Sequence, residues 1–318
     1  METKCGLLIT GITGFMGKTL VKSLLDPASP HAWKYDKIIG IARRWKDTED
    51  FYREFGRSIK IYNGDVRDRE FLHSLYELRS GQWDVIHTAA YKHGPLAEEN
   101  PREAASVNID GTKNVLDLPN IRRFVLISTD KACDPIGVYG QTKAIAERIV
   151  LNEYGTVLRF GNVWGSTGSV VGLFHSLLKR GAKTIPVTDP QMTRYFFPVE
   201  ELADYIFLGT DNPGLIIPRL KSTSIEDLAL AFCSAYGAPY EKVRIVGTRP
   251  GEKLHEAMIS AKEATRAWDV IEEGVYRTSG KLGQENENGT HELGFLMSSQ
   301  DAERFTFDEL VEMIRKDM

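Results

Sequence analysis

A tyrosine and a lysine stand four residues apart at the end of the segment STDKACDPIGVYGQTK, which runs from Ser128 to Lys143. On a helix, Tyr139 and Lys143 would lie one turn apart and point to the same face. A tyrosine hydroxyl titrates near pH 10, and a neighbouring ammonium together with the positive nicotinamide ring of the oxidised cofactor lowers that pKa. The pair therefore predicts hydride-transfer chemistry, in which Tyr139 takes the proton of an alcohol and Lys143 holds the nicotinamide ribose.

A second charged pair, Asp130 and Lys131, follows Ser128 and Thr129 where a predicted strand ends. Hydride transfer alone leaves Lys131 without a chemical task. From the residues alone two interpretations stay open: further acid–base machinery, or a structural ion pair that closes the strand.

A glycine-rich segment, GITGFMG, lies between the first predicted strand and its helix. Backbone without side chains can approach a pyrophosphate there, and the helix N-terminus offers free N–H groups. The segment predicts a dinucleotide site formed by Gly11, Thr13, Gly14, Phe15, Met16 and Gly17.

The end of the second predicted strand bears on the choice of cofactor. Sites that prefer NAD place Asp or Glu there, whereas an arginine accommodates the 2′-phosphate of NADP. Here Arg43 and Arg44 follow the strand, and no acidic residue comes before Asp47. The pattern predicts NADP, with NAD the less favoured cofactor.

Four further positions are predicted along the cofactor: Asp65 and Val66 at the adenine, and Ala89 and Ala90 on the path to the nicotinamide.

Short apolar runs alternate with helical patterns in the first half of the chain, which is typical of βαβ units. Asn100 and Pro101 predict the cap and first residue of one helix, and Gly155 the end of another. The predicted strands are Cys5–Gly11, Asp36–Arg43, Ile59–Asp65, Asp84–Ala90, Arg122–Asp130 and Thr156–Gly165.

These elements predict an α/β fold, a doubly wound parallel Rossmann sheet with a smaller mixed α/β substrate-binding lobe. Residues 1–165 are assigned to the cofactor domain, to which a segment near 196–215 returns. Residues 166–318 are assigned mostly to the substrate lobe and a C-terminal tail. The polar segment Ser279–Gly294 is predicted to be a mobile surface loop.

Composition excludes several classes of protein. The 318-residue chain has a net charge of -4 and no basic run, so nucleic acid is a poor partner. No apolar stretch is long enough to span a membrane and the N-terminus is no signal peptide, so a cytoplasmic location is expected. The three cysteines, Cys5, Cys133 and Cys233, are scattered and indicate neither disulfides nor a metal site.

The chain resembles the extended short-chain dehydrogenase/reductases and, within them, the UDP-N-acetylglucosamine 4,6-dehydratases, chiefly the soluble inverting branch. The most specific segments are STDKA, MTR and PGEKLHE. The others are GITGFMG, GDVRD, HTAAYKHGPLAEENP, NIDGTKNV, RFGNVWGSTGSVV and DPQMTRYFFPVEE. Two features depart from the family pattern: Gly137-Val138 stands where bulkier pairs are usual, and little of the pattern is visible after Ile259.

The resemblance gives Lys131 a task. After C4 of the sugar is oxidised, the 4-keto group acidifies the C5 proton, and the resemblance implies that Lys131 removes it. Asp130 would protonate the departing C6 hydroxyl, and Thr129 would hydrogen-bond the C4 oxygen. As a base Lys131 must be neutral part of the time, and burial beside cations is expected to lower its pKa.

The resemblance also implies a UDP-sugar substrate and several of its ligands. Arg194 and Arg249 would bind the diphosphate, because a planar guanidinium matches phosphate oxygens. Lys92 would face the sugar and cofactor, Asn162 the diphosphate or N-acetyl region, and Glu252 the uridine ribose. A homo-oligomer is also expected.

Three other functions remain open at this stage. A UDP-sugar 4-epimerase needs Tyr139 and Lys143 but gives Lys131 no chemical task. A dehydratase that releases a 5,6-alkene fits the same residues. A non-catalytic dinucleotide sensor is the third, although it has no need of a hydride-transfer pair.

Overall fold

The computed structural model describes residues 5–153, 155–166, 168–211, 213–249, 251–265, 267–270, 274–278 and 297–318. The strands are β1 Cys5–Thr10, β2 Lys37–Ala42, β3 Lys60–Asn63, β4 Gln82–His87, β5 Ile121–Thr129, β6 Thr156–Phe160, β7 Asn162–Val163, β8 Ile185–Val187, β9 Thr193–Phe197, β10 Gly214–Pro218, β11 Ser222–Ser224, β12 Val243–Ile245, β13 Ala257–Ile259, β14 Ala267–Val270, β15 Val275–Thr278 and β16 Met297–Ser298. The α-helices are α1 Phe15–Leu25, α2 Trp45–Phe55, α3 Arg69–Ser74, α4 Gly94–Glu99, α5 Pro101–Ala105, α6 Gly111–Leu116, α7 Val138–Asn152, α8 Val170–Lys179, α9 Leu202–Asp211, α10 Ile225–Tyr236, α11 Ala261–Ala264 and α12 Phe307–Lys316. The predicted loop Ser279–Gly294 lies outside the described residues.

The main sheet follows the dinucleotide-binding strand order. Its order is β14-β15-β10-β6-β5-β4-β1-β2-β3. The seven strands from β10 to β3 are parallel, and β15 and β14 continue the sheet antiparallel at one edge. Helices cover both faces, so the central strands are continuous apolar runs such as Leu7-Leu8-Ile9, which is fully buried. The predicted doubly wound Rossmann sheet is confirmed.

Three strands from the second half of the chain extend this sheet. β10 pairs with β6, β15 pairs with β10, and β14 pairs with β15. The sheet therefore continues past the predicted return near 196–215. A second apolar core, centred on Phe174, Phe196 and Phe232, lies under α8, α10 and α12.

The predicted strand Thr156–Gly165 is wrong as a single element, because the chain changes sheet at Gly161. β6 belongs to the main sheet, whereas β7 pairs with β9 in a three-stranded sheet. A Cβ atom at Gly161 would lie 2.5 Å from the Cβ of Tyr195, so only glycine allows β9 to approach this closely. The break carries Asn162 out of the main sheet.

The helix predicted from Asn100 is interrupted. α5 and α6 are joined by a π-helical turn, Ser106–Asp110, and the Asn100 side-chain amide donates to Leu96 O instead of capping α5. Within the turn, buried Asn108 accepts from the Tyr91 N–H at 2.7 Å and donates to Thr142 Oγ1 at 2.9 Å. The turn thus ties the loop after β4 to α7, and such turns occur frequently at functional sites.

Candidate active site

A cleft of about 1260 Å³ opens at the carboxyl ends of the parallel strands and reaches into the second lobe. Clefts in this position bind ligands in open α/β sheets. It brings together all the predicted site residues except two, Gly17 and Asp130: Gly11, Thr13, Gly14, Phe15, Met16, Arg43, Arg44, Asp65, Val66, Ala89, Ala90, Lys92, Thr129, Lys131, Tyr139, Lys143, Asn162, Arg194, Arg249 and Glu252.

The glycine loop fits a dinucleotide. Gly11 has φ of +69°, and a Cβ there would lie 2.9 Å from the Ala89 backbone nitrogen. α1 begins after Gly14, and no side chain caps it. Side-chain-free backbone beside an uncapped helix N-terminus is what a pyrophosphate requires. Gly17 packs tightly, because a Cβ there would lie 2.5 Å from Ile12 O, and it does not line the cleft; its cofactor contact remains a prediction.

The adenosine end of the cleft is rich in charged side chains. Arg43 and Arg44 both line it, and Arg44 Nε lies 2.7 Å from Asp47 Oδ2. Asp65 accepts hydrogen bonds from the backbone and guanidinium of Arg67, whose guanidinium lies 2.7 Å from Asp65 Oδ2, and these bonds lower the pKa of Asp65. Both carboxylates near the predicted ribose position are therefore engaged by arginines.

Tyr139 stands in the first turn of α7, deep in the cleft. Burial raises its pKa to about 12, while the Lys131 cation and the Thr129 hydroxyl beside it oppose the rise. The predicted lowering involves both an ammonium and the nicotinamide ring; in the protein alone Lys131 acts in the predicted direction, but burial outweighs it. Of the two lysines, Lys131 is the one that acts on Tyr139.

Lys143 is held by the backbone of β5. Its Nζ donates to Ile127 O at 2.7 Å, and burial lowers its pKa to about 8, against the opposing charge of Glu147. The lysine thus has a fixed position in the cleft, one helical turn from Tyr139, as the spacing predicts.

Lys131 lies between two carboxylates. Its Nζ is 3.0 Å from Asp130 Oδ1 and 3.6 Å from Glu256 Oε1. Burial by itself lowers the pKa of Lys131, but Asp130 and Glu256 outweigh it and the net shift is upward. The expectation that surrounding cations lower this pKa is therefore wrong, because Asp130 and Glu256 outweigh both burial and the opposing Arg194 cation.

Asp130 is fully buried beneath the surface of the cleft. Its Oδ1 accepts from Thr129 Oγ1 at 2.9 Å and from Lys131 Nζ at 3.0 Å. Its Oδ2 has no hydrogen-bond partner among the described residues. Any proton that Asp130 exchanges with a ligand must therefore pass through a neighbour, and both Thr129 and Lys131 line the cleft.

The Arg194 guanidinium is engaged by contacts within the protein, which leaves it less available to bind a phosphate. Only 7% exposed, it donates from Nη1 to Thr193 O at 2.7 Å and Leu254 O at 3.2 Å, and from Nη2 to Lys253 O at 2.9 Å. These contacts show it holding the backbone of the PGEKLHE segment.

The other predicted substrate ligands lie nearer the mouth of the cleft. The Arg249 N–H donates to Glu252 Oε2 at 3.0 Å, so the two residues share one loop. Partial burial lowers the pKa of Lys92. The substrate contacts assigned to these residues, to Asn162 and to Arg194 remain predictions.

Two acidic residues of the site were missed by sequence reasoning. Glu256 comes from the second lobe, and its proximity to Lys131 depends on how the lobes pack. Glu98, on α4, accepts a hydrogen bond from the Val138 N–H at 2.7 Å and so caps α7 in place of Gly137. A Cβ at Gly137 would lie 2.7 Å from Glu98 Oε1, so the departure at Gly137 makes room for this carboxylate.

The sheet order, the glycine loop and the Tyr139–Lys143 pair after β5 define an extended short-chain dehydrogenase/reductase. A family model described as "Polysaccharide biosynthesis protein" matches residues 7–276. The chain belongs to that family.

Relatives of the chain include both dehydratases and epimerases. It is 36% identical to the UDP-N-acetylglucosamine 4,6-dehydratase (inverting) of Campylobacter jejuni, over 89% of this chain and 85% of that protein. It is 33% identical to a UDP-glucose 4-epimerase of Rickettsia rickettsii, over 83% of this chain and 80% of that protein. The solved structure of Pen from Bacillus thuringiensis covers 100% of this chain and 99% of its own, with a TM-score of 0.88 and 26% identity.

No helix among the described residues is long and apolar enough to cross a membrane. Within the same residues, no group of three or more His, Cys, Asp or Glu side chains is placed to hold a metal ion.

Proposed function

We propose that the chain is an NADP-dependent 4,6-dehydratase that converts UDP-N-acetylglucosamine to a UDP-4-keto-6-deoxy-hexosamine with inversion at C5. One observation carries the proposal: Lys131 lines the same cleft as Tyr139, hydrogen-bonded to Asp130 at 3.0 Å. A 4-epimerase has no use for this second acid–base pair.

Tyr139 is the base for the first step. Its hydroxyl, once ionised, accepts the proton of the sugar C4 hydroxyl, and Lys143 holds the nicotinamide ribose. When bound, NADP would supply the hydride acceptor for C4 and the hydride donor for C6. Gly11, Gly14 and the residues between them would hold its pyrophosphate, and Arg43 and Arg44 its 2′-phosphate.

The Asp130–Lys131 pair supplies the second base and its acid. Burial lowers the pKa of Lys131, but Asp130 and Glu256 raise it overall, so the favoured form is the ammonium, which cannot remove the C5 proton. Transfer of one proton along the 3.0 Å bond, from Lys131 Nζ to Asp130 Oδ1, produces a neutral amine and a carboxylic acid together. The amine then takes the C5 proton. The acid's proton goes to the departing C6 oxygen, through Thr129 or Lys131, and water leaves. Once C6 has received the hydride, C5 takes a proton of solvent origin on the opposite face, which completes the product and inverts C5.

An incubation with UDP-N-acetylglucosamine in heavy water, followed by NMR, tests this function. The expected product is a 4-keto-6-deoxy sugar with solvent deuterium at C5 and inverted C5. C6 should gain no solvent deuterium in the primary reaction, because its hydride comes from C4 of the same sugar.

The same spectrum tests the alternatives. The Rickettsia relative makes a UDP-sugar 4-epimerase the second candidate, and that enzyme would invert C4 without solvent label or loss of water. An accumulating 5,6-alkene would point to the variant dehydratase. An unchanged sugar would leave the dinucleotide sensor. Each of these results would contradict the proposed function.

The cofactor preference is tested separately. NADP should bind more tightly than NAD, and Arg43→Gln/Arg44→Gln should weaken NADP by about 1–3 kcal/mol, or roughly 5- to 150-fold, while changing NAD little. Calorimetric titration of both cofactors measures this. Arg53→Gln, on the exposed part of α2 beside Asp50, is the control that removes a cation away from the cleft. Equal affinity of the unmutated protein for both cofactors would contradict the assignment.

The cytoplasmic location and the homo-oligomer expected from the sequence remain predictions.

A further inference from the structure

We infer that Glu256 is a positioning residue for the proposed dehydration. Its carboxylate holds the Lys131 side chain in place in the cleft and stabilises the ammonium until Asp130 accepts the proton. The inference rests on the proposed function for its catalytic meaning. It concerns a carboxylate in the second lobe, outside the Asp130–Lys131 pair itself.

Glu256 has a rigid backbone position. It precedes β13 and is 3% exposed. Its N–H donates to Ser299 Oγ at 2.9 Å, and the Ser299 N–H donates back to Glu256 O at 2.8 Å. Ser299 is itself fully buried and hydrogen-bonded to Thr193 Oγ1 at 2.7 Å. The backbone that carries the carboxylate is therefore tied to β9 and the segment 297–299.

Three cations from different parts of the chain face this carboxylate. Lys131 Nζ lies 3.6 Å away, Lys253 Nζ 3.7 Å and Arg194 Nε 3.8 Å. Arg194 also binds three backbone carbonyls, and Lys253 Nζ donates to Cys133 O at 2.7 Å. Glu256 Oε2 has no hydrogen-bond partner in the described part of the chain.

These contacts assign Glu256 an electrostatic effect on Lys131. A buried carboxylate is costly unless a cation compensates it, so a neutral Lys131 would remove part of that compensation. The groups that face Lys131 are Asp130 and Glu256, which favour the ammonium, with Arg194 and the hydroxyl of Tyr139 on the other sides. Removing the Glu256 charge should therefore make the neutral amine easier to form.

The test measures the titration of Lys131 directly. Glu256→Gln keeps the size of the side chain and removes its charge. The rate at which an amine-acylating reagent modifies Lys131, followed by peptide mass spectrometry against pH, gives the midpoint of its titration. That midpoint should fall by about 1 pH unit, the usual effect of losing one opposite charge within 4–6 Å. The acid limb of the dehydration rate should move to lower pH in the same variant.

A matched control and a second variant complete the experiment. Glu241→Gln removes an exposed acid of the same lobe and should leave the midpoint unchanged. If Glu256→Gln does not fold, Glu256→Asp retracts the charge by one methylene and should lower the midpoint by a smaller amount. An unchanged midpoint in the folded Glu256 variant overturns the inference. Because labelling requires no turnover, this result is independent of the heavy-water incubation, which alone decides the proposed function.

Discussion

Tyr139→Phe is expected to reduce turnover by roughly 10³-fold, within the usual range for loss of a general base, while folding and cofactor binding remain intact. The phenyl ring keeps the packing of the first turn of α7, and only the hydroxyl is lost. Among the described residues of the cleft, no other proton acceptor lies one helical turn from Lys143, where it could deprotonate the C4 hydroxyl. Near-normal turnover in this variant would contradict the mechanism of the whole superfamily for this chain.

The same variant reveals how the tyrosine becomes a base. Burial raises the pKa of Tyr139 to about 12 in the protein alone, so only a small fraction is ionised at neutral pH. The positive nicotinamide ring should lower that pKa, and turnover should rise with pH until the pH reaches the lowered pKa of Tyr139. Ultraviolet difference titration of the unmutated protein against Tyr139→Phe, with and without NADP, measures the shift.

The fold was predictable from local patterns because the central parallel strands, such as β1, β4 and β6, are buried on both faces. Runs such as Leu7-Leu8-Ile9, each followed by a helical pattern, are sufficient to indicate a doubly wound sheet. The change of sheet at Gly161 was not predictable, because its cause is the approach of Tyr195 from a distant strand. The π-helical turn at Asn108 likewise depends on partners in the β4 loop and α7.

The site residues divide in the same way, into those whose relation follows from local spacing and those whose contacts come from distant parts of the chain. Tyr139 and Lys143 are neighbours on one helix, and their spacing alone predicts their relation. The pKa of Lys131 is raised first by Asp130, its neighbour in sequence, and then by Glu256, which lies 125 positions further along and reaches the cleft through the packing of β13. The predicted direction of the Lys131 pKa was wrong because it considered burial and cations and not these two carboxylates. Asp130 is adjacent in sequence, and its role as a hydrogen-bonded partner of Lys131 agrees with the predicted pair.

Lys131→Ala separates a dehydratase from an epimerase. The variant should still oxidise C4 reversibly, because Tyr139 and Lys143 are unchanged, but elimination should fall by roughly 10²–10⁴-fold for want of a C5 base. Bound reduced cofactor should therefore accumulate on mixing with the sugar nucleotide, and C5 should take up no solvent deuterium. Stopped-flow absorbance and NMR measure the two effects.

Lys131→Arg is the control for charge, because a side chain of similar length keeps a cation between Asp130 and Glu256 but does not deprotonate in a protein. If Lys131 is the base, the arginine variant should be stable and as poor in elimination as the alanine variant. If Lys131 only compensates the negative charge of the buried carboxylates, the arginine variant should catalyse dehydration at the normal rate. Lys131→Glu should recover some elimination, since a carboxylate can also accept the C5 proton, although a third acid beside Asp130 and Glu256 will raise carboxyl pKa values there. Unchanged dehydration by Lys131→Ala would return Lys131 to the other interpretation of the STDKA segment, a structural ion-pair partner of Asp130.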